Sequence, residues 1–188
     1  MTLAVLRFLP WRVPAHGAPL TGTPPGFADL MTEARAQIEH FRPRPRPADP
    51  AQRAQIDGLI TALWLLDGFL SAGTDIAAGR IPRLSGDECR DYGITPEHFA
   101  QRRVDFLWRR YTEFQLRRCR NLLQAAAPLG KPWLRGARFR LCIARTEQVL
   151  RRLQLDPALA YTGAFPASFW ARLTAAARIA WRVLSKRR

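Results

Sequence analysis

The feature that most constrains the fold is the stretch of residues 59–70, in which only Thr61 and Asp67 are polar or charged. It lies inside a longer segment, residues 50–78, whose composition favours one helix. A helix that is apolar on nearly every face must be covered by other elements on several sides. The stretch is too short to span a bilayer and contains a carboxylate, so a transmembrane helix is disfavoured. The sequence therefore predicts a buried central helix.

Proline divides the chain into two parts. Nine of the 15 prolines lie in the first 50 residues, where each ring removes a backbone donor and fixes φ, so long helices are disfavoured there. We expect residues 1–50 to form a Pro/Arg-rich arm that carries one helix at about 27–41. Residues 51–188 are expected to form a helical domain, because no segment shows the alternation of a strand. The predicted fold class is therefore all-α.

Capping signals place the remaining helices. A loop over residues 79–93 is expected to hold a short helical turn at 87–92. Thr95 as N-cap, with Pro96 at the first helical position, predicts the start of the next long helix. The three long helices of this part are predicted at about 95–126, 132–155 and 166–186.

The net charge is +15, and 28 of the 30 basic residues are arginine. This excludes an acidic or neutral surface and indicates recognition of planar or phosphate-like anions. Arg103, Arg110 and Arg117 recur every seven residues and are expected to form a solvated face, with a site for an anionic partner as the alternative. Nucleic-acid binding is disfavoured, because the sequence contains no zinc finger, no RNP motif and no Gly-rich phosphate loop.

Cysteine usage points to a reducing compartment. Cys89, Cys119 and Cys142 form no CxxC pair and have no histidine at metal-ligand spacing, so a disulfide scaffold or a zinc site is disfavoured. Residues 1–10 lack the basic region of a secretory signal, and Arg7 interrupts their apolar run. We expect a cytoplasmic protein, with peripheral binding at the inner membrane as the alternative.

Surface positions without a partner are expected for the three histidines, His16, His40 and His98.

A polar stripe interrupts the apolar central helix. Buried carboxylates need partners, so such a stripe lines a solvated cavity or meets cations. Two interpretations stay open: the stripe is a ligand site, or Asp67 pairs with one of the many arginines while Asp75 only lies near a helix end or pairs with Arg80. The residues of the stripe recur every three or four positions, so they share one helical face. They are Thr61, Trp64, Asp67, Ser71 and Asp75.

Residues 62–80 resemble, without a gap, the second aspartate-rich segment of the squalene/phytoene synthase family. In that family the helix reads approximately A-L-Q-L-x-N-x-x-x-D-x-x-x-D and is followed by G-R-x-Y-L-P. The similarity covers about residues 55–183, the C-terminal part of such an enzyme, and is most like the hydroxysqualene-synthase branch of hopanoid synthesis. Later segments that keep the family order are residues 91–95, 114–120, 127–129 and 138–153.

The resemblance implies a partial isoprenoid-synthase-like helical bundle and the head-to-head joining of two prenyl diphosphates. In that family two aspartate-rich helices face each other and hold Mg²⁺, which bridges the diphosphate and assists its departure. The carbocation then needs an apolar pocket that excludes water. By position, the resemblance assigns diphosphate or substrate binding to Asp67, Ser71, Asp75 and Arg80, and the Mg²⁺ contact to Asp75.

The sequence departs from the family pattern in both aspartate-rich motifs. Asp75 is kept, but Ser71 stands where the family has the first Asp of the second motif, Asp67 where it has Asn, and Trp64 where it has Gln. The first motif has no counterpart, because residues 1–54 contain only two aspartates. We therefore expect a truncated and degenerate squalene/phytoene synthase-like protein of isoprenoid biosynthesis, catalytically impaired when it acts alone.

The alternative function is that of a non-catalytic, basic helical protein that binds a membrane or an assembly partner. The predicted helix over residues 166–188 places Trp and Leu side chains on one side and arginines off it, a pattern that suits an anionic lipid surface. A truncated core also leaves apolar faces, which a protein partner or a second copy would cover. The candidate partners are therefore a prenyl diphosphate, a membrane surface and another protein chain.

Overall fold

The computed structural model describes residues 25–41, 47–131 and 136–162. Within these residues the chain forms seven α-helices, one 3₁₀ turn and no β-strand, so the all-α prediction is confirmed for them. The helices are α1 (Phe27–Phe41), α2 (Pro50–Ala77), α3 (Gly86–Asp91), α4 (Pro96–Ala100), α5 (Phe106–Ala126), α6 (Ala137–Leu155) and α7 (Leu159–Thr162), and the 3₁₀ turn is Ala127–Gly130.

The ends of α2 are encoded locally. The Asp49 carboxylate accepts hydrogen bonds from the backbone N–H groups of Ala51 (2.9 Å) and Gln52 (3.3 Å), and Pro50 occupies the first helical position, where no N–H donor is needed. The helix ends where Gly79 takes a positive φ of +68°. Glycine adopts this conformation without the steric penalty that a Cβ would bring. The predicted helix is therefore observed, one residue shorter at its C-terminal end.

The interior of the described part is built around α2, as predicted. α2 packs against α5, α7, α1 and the 3₁₀ turn. By length and composition alone α2 could cross a membrane, yet more than half of its most apolar window is buried inside the protein. The residues of α2 that are buried are Ile56, Leu59, Ile60, Ala62, Leu63, Trp64, Leu66, Gly68, Phe69 and Ala72.

Aromatic side chains join α2, α5 and α7. Trp108 is fully buried, and its ring stacks on Tyr161, with 4.2 Å between centroids, and on Phe69, with 5.7 Å. The indole N–H donates to the Pro157 carbonyl (3.1 Å), and the Tyr161 O–H donates to the Arg103 carbonyl (2.6 Å). Because both polar atoms have partners, these rings are buried without an unpaired donor. The cluster thereby fixes α7 against α2.

The prediction of one continuous helix over residues 95–126 is wrong, because the chain forms α4 and α5 with a loop between them. Arg102 takes a positive φ of +49° and closes α4. Its N–H donates to the Phe99 carbonyl (3.2 Å), and the N–H of Arg103 donates to the His98 carbonyl (2.8 Å). These two bonds are the usual closure of a helix whose next residue is left-handed, here without the glycine that normally signals it.

Arg102 is exposed, and its left-handed backbone brings its Cβ into a steric conflict that glycine avoids. Arg102→Gly is therefore expected to raise the free energy of unfolding by about 1 kcal/mol. Arg102→Ala removes the same charge but keeps the Cβ, so we expect no gain from it. Urea unfolding of the three proteins measures the difference, and equal midpoints for the two variants would contradict the steric explanation.

The prediction that His98 lies at the surface is also wrong, since only 3% of it is exposed. Its Nδ1 accepts from the Thr95 N–H (3.1 Å), and its Nε2 lies 3.3 Å from Asp105 Oδ2. The histidine is buried because it closes the cap of α4 and contacts the residue that begins α5. His16 and the side chain of His40 lie outside the described residues.

Asp105 caps α5, and its carboxylate titrates at unusually low pH. The hydrogen bond from the Trp108 N–H, aided by the Arg103 guanidinium, lowers the pKa of Asp105 to about 2, although desolvation opposes the shift. The unfolded pKa is about 3.9, so the carboxylate stabilises the fold above about pH 4 and loses this contribution as the pH falls toward 2.

Asp105→Asn keeps a capping side chain but cannot titrate. We expect the free energy of unfolding of the wild type to exceed that of the variant at neutral pH and to approach it as the solution is acidified. Urea unfolding at a series of pH values measures this difference, and a difference that does not change with pH would contradict the assigned pKa.

The other predicted elements either match or lie outside the described residues. The helix expected at 27–41 is α1, with the same bounds, and the turn expected at 87–92 is α3, which begins one residue earlier. The helix expected at 132–155 is described from Ala137 onward as α6. The helix expected at 166–186, with most of the Pro/Arg-rich arm, lies outside the described residues, so the division between arm and domain stays a prediction.

Candidate functional site

The residues assigned to the site by resemblance lie together at the C-terminal end of α2. Asp75 Oδ1 accepts from Arg80 Nε (3.2 Å) and Nη2 (2.8 Å), and Asp75 Oδ2 accepts from Ser71 Oγ (2.9 Å). Gly79 turns the chain so that the Arg80 N–H also reaches the Asp75 carbonyl (2.9 Å). Of the two interpretations of Asp75, the pairing with Arg80 is the one observed.

A fifth residue, Arg83, completes the cluster. Its Nη2 donates to Asp67 Oδ2 in an ion pair and lies 3.5 Å from Ser71 Oγ. Its guanidinium also lies over the Trp64 ring, 5.9 Å from the centroid. An arginine partner for Asp67 was one of the two open interpretations, and Arg83 is that partner. Three residues of the stripe and two of the loop after α2 therefore form one network of two carboxylates, one hydroxyl and two guanidinium groups, namely Asp67, Ser71, Asp75, Arg80 and Arg83.

Gly68 decides where Arg83 lies. A Cβ at Gly68 would stand 2.7 Å from the Arg83 carbonyl oxygen, closer than any ordinary contact. Leu84, the next residue, is buried and holds the loop against the core. Because the glycine leaves space for the loop backbone, the Arg83 side chain reaches Asp67. The signal in the sequence was a glycine one residue after Asp67, whose meaning depends on the tertiary packing.

The electrostatics of the cluster favour internal pairing over cation binding. Burial raises the pKa of Asp67, and the charge and hydrogen bond of Arg83 offset this only in part. Asp75 is likewise held by Arg80. Each carboxylate thus has a guanidinium partner, and the network has no excess negative charge.

The residues of the stripe do not fit a Mg²⁺ ion. Magnesium prefers an octahedral shell of oxygen ligands, with one or two free carboxylates supplied by the protein. Here Arg83 and Arg80 occupy the carboxylates of Asp67 and Asp75, and their positive charge would repel a divalent cation. Within the described residues no group of three or more His, Cys, Asp or Glu side chains could hold a metal ion.

Two buried donors beside the network have no hydrogen-bond partner, namely Trp64 Nε1 and Arg83 Nη1. An unsatisfied buried donor costs about 1 to 3 kcal/mol, so an acceptor at this place would be stabilising. Ordered water or an oxygen of a bound anion would supply it. The site can therefore still donate hydrogen bonds, and an anion is a ligand that would accept them.

A second charged cluster joins α3 to α5. Glu88 Oε1 forms an ion pair with Arg118, and Glu88 Oε2 accepts from Gln115 Nε2 (3.0 Å). Arg118 also lies over the rings of Phe114, 4.6 Å from the centroid, and Phe27, 5.2 Å. Because all of these groups are engaged, the cluster is structural and fastens α1 and α3 to α5.

Charge is divided unevenly along the chain. All 15 acidic residues lie among the described residues, together with 18 of the 30 basic ones. Among the described cations, Arg145 is buried with no hydrogen-bond partner for its Nε and Nη2. Most of the net charge is therefore contributed by 12 cations in segments that contain no acid, residues 1–24, 42–46, 132–135 and 163–188.

No protein family, curated protein or solved structure matches this chain. The resemblance to squalene/phytoene synthases rests on the order and spacing of the sequence motifs named above.

Proposed function

We propose that this chain is a squalene/phytoene synthase-like protein of isoprenoid biosynthesis that binds a prenyl diphosphate without converting it. The observation that carries the proposal is the pairing of Asp67 with Arg83 and of Asp75 with Arg80. The order of the motifs supports the relationship, and the paired carboxylates support the loss of metal-dependent chemistry.

The chemistry of the cluster supports binding rather than catalysis. Departure of a diphosphate requires charge stabilisation that increases in the transition state, which Mg²⁺ held by free carboxylates provides in the family it resembles. Guanidinium and indole N–H groups, such as the unpaired donors of Arg83 and Trp64, bind the oxygens of the anion in its ground state. Two such donors stabilise the departing diphosphate much less than Mg²⁺ ions would, so we expect binding without turnover.

Incubation of the purified chain with farnesyl and presqualene diphosphates tests the proposal. We expect no release of pyrophosphate with or without Mg²⁺, but a rise in melting temperature that does not require the metal. Arg83→Gln should weaken binding about tenfold or more, since a charge-assisted hydrogen bond is lost. The exposed Arg90 provides the matched control, Arg90→Gln. Metal-dependent release of pyrophosphate would contradict the loss of catalysis, and equal effects of the two variants would contradict the site.

The distribution of basic residues along the chain favours a second candidate function, binding to a membrane surface. The acid-free segments, with their 12 cations, would give the chain affinity for an anionic membrane surface. Flotation with anionic and neutral vesicles tests this candidate. Recovery with anionic vesicles alone would support it, and absence from both would refute it.

A further inference from the structure

The outer face of α5 combines exposed arginines with one large exposed apolar side chain. Phe106 begins the helix and is 73% exposed. Arg109 and Arg110 follow three and four residues later on the helix surface, and both are exposed, with the Arg110 guanidinium 5.7 Å from the centroid of the Tyr92 ring. Arg117 continues the same exposed face two turns further on. Of the predicted arginine face, Arg110 and Arg117 are therefore exposed on α5, with Phe106 at the start of that helix, whereas Arg103 is exposed in the loop before it.

The loop before α5 adds to this face. Arg102 and Arg103 are exposed, and Arg103 forms an ion pair with Asp105, in which Nη2 and Nε (2.8 Å) both donate to Asp105 Oδ2. Within residues 102–117 the acids are Asp105 and Glu113, against five exposed arginines. The surface is thus positive, with its charges on both sides of Phe106.

The orientation of Phe106 is fixed by the residues that follow it. Trp108 is fully buried, and its backbone N–H donates to Asp105 Oδ1 (2.9 Å), which fixes the first turn of α5. Positions two residues apart lie on different faces of a helix, so burial of Trp108 directs Phe106 outward. The exposed ring is therefore a consequence of the packing, and its apolar surface is available to a partner.

We propose that Phe106, together with Arg102, Arg103, Arg109 and Arg110, docks the protein on an anionic phospholipid surface. The ring would enter the headgroup layer while the guanidinium groups bind lipid phosphates, as in other interfacial helices. A nucleic acid fits this face less well, because binding of a single strand uses several exposed stacking rings and this face carries one. A protein with an acidic surface would also suit Phe and Arg, which are both enriched at protein interfaces, and it is distinguished by the absence of a response to vesicles.

This proposal deepens the second candidate function and assigns it to a surface of the described residues. The decisive measurement is therefore made at position 106, because the acid-free segments could bind the chain to vesicles without this surface. If the chain floats with anionic vesicles while position 106 stays in water, membrane binding stands and this surface assignment falls.

A fluorophore that responds to polarity, attached at Phe106→Cys, gives that readout. The native thiols react slowly in the folded protein, because burial raises the pKa of Cys89 to about 11, of Cys119 to about 12 and of Cys142 to about 11. Leu155 is 85% exposed on α6, so Leu155→Cys is a matched control. We expect a blue shift at position 106 with anionic vesicles, none with neutral vesicles, and none at position 155.

Partitioning of paired variants tests the energetics. Phe106→Ser with Arg109→Gln should reduce partitioning into anionic vesicles at least about fivefold, because one arginine near the surface contributes about that factor. Leu155→Ser with Arg151→Gln removes the same kinds of group elsewhere and should have little effect. Equal losses in the two pairs would overturn the proposal. It would also be overturned by a shift at position 106 with single-stranded DNA and none with vesicles.

Discussion

Gly73→Ala is expected to lower the free energy of unfolding by about 3 kcal/mol, because the added methyl group would collide with the backbone of α7. The new Cβ would collide with the Tyr161 carbonyl oxygen and lie 2.6 Å from its carbonyl carbon. These are main-chain atoms, so relief requires that α7 move away from α2. That movement would disturb the Tyr161 ring, which stacks on Trp108, and its hydrogen bond to Arg103.

Gly58→Ala on the same helix is the matched control. Its added Cβ would lie 3.8 Å from the nearest atom, the Leu122 carbonyl oxygen, which is an ordinary contact. Alanine favours a helix over glycine by about 1 kcal/mol, so this variant should be as stable as the wild type or more stable. Urea unfolding and near-ultraviolet circular dichroism measure both effects. Equal stability of the two variants would contradict the close packing of α7 on α2.

Glu88→Gln is expected to cost about 2 kcal/mol, because it leaves the mostly buried Arg118 guanidinium without its counter-charge. A fully buried pair would cost more, but both side chains keep some contact with solvent. The new amide at position 88 would also face the Gln115 amide, which now donates to Glu88 Oε2. Urea unfolding measures the loss, and Arg118→Met in the Glu88→Gln background should recover part of it, since the unpaired cation is then gone.

Asp87→Asn provides the comparison for Glu88→Gln. Asp87 lies on the same short helix and pairs with Arg90 at 3.4 Å, but both side chains are exposed. Its loss should change the free energy of unfolding by about 0.5 kcal/mol or less. A cost as large as that of Glu88→Gln would contradict the claim that the ion pair between α3 and α5 stabilises the fold more than an exposed ion pair does. Unchanged stability of Glu88→Gln would contradict the fastening role of Glu88.

The helix ends that the sequence predicted well are those with local causes. Asp49 and Pro50 start α2, and Gly79 ends it through backbone preferences that act over a few residues. The break between α4 and α5 was missed because Arg102 takes a left-handed conformation that glycine usually signals. Asp105, an N-cap residue three positions before a buried Trp, was the available signal for a new helix.

From the sequence, the site could be predicted only to the extent that helical spacing places its residues on one face. Asp67, Ser71 and Asp75 share a face because they lie four residues apart on one helix, and that part is observed. The place of Arg83 depends on the close approach of its loop to Gly68, which is a tertiary effect. The pairing that neutralises the stripe was therefore one of two open interpretations until the packing of the loop was known.

Magnesium binding is the most direct test of the central claim, that arginines rather than metal ions neutralise the carboxylates of Asp67 and Asp75. Titration of Mg²⁺ into the chain, with melting temperature and calorimetric heat as readouts, is compared with sodium chloride at equal ionic strength. We predict no stabilisation beyond that of the sodium salt. Stabilisation specific to Mg²⁺ that is lost in Asp75→Asn and kept in Asp156→Asn would contradict the claim.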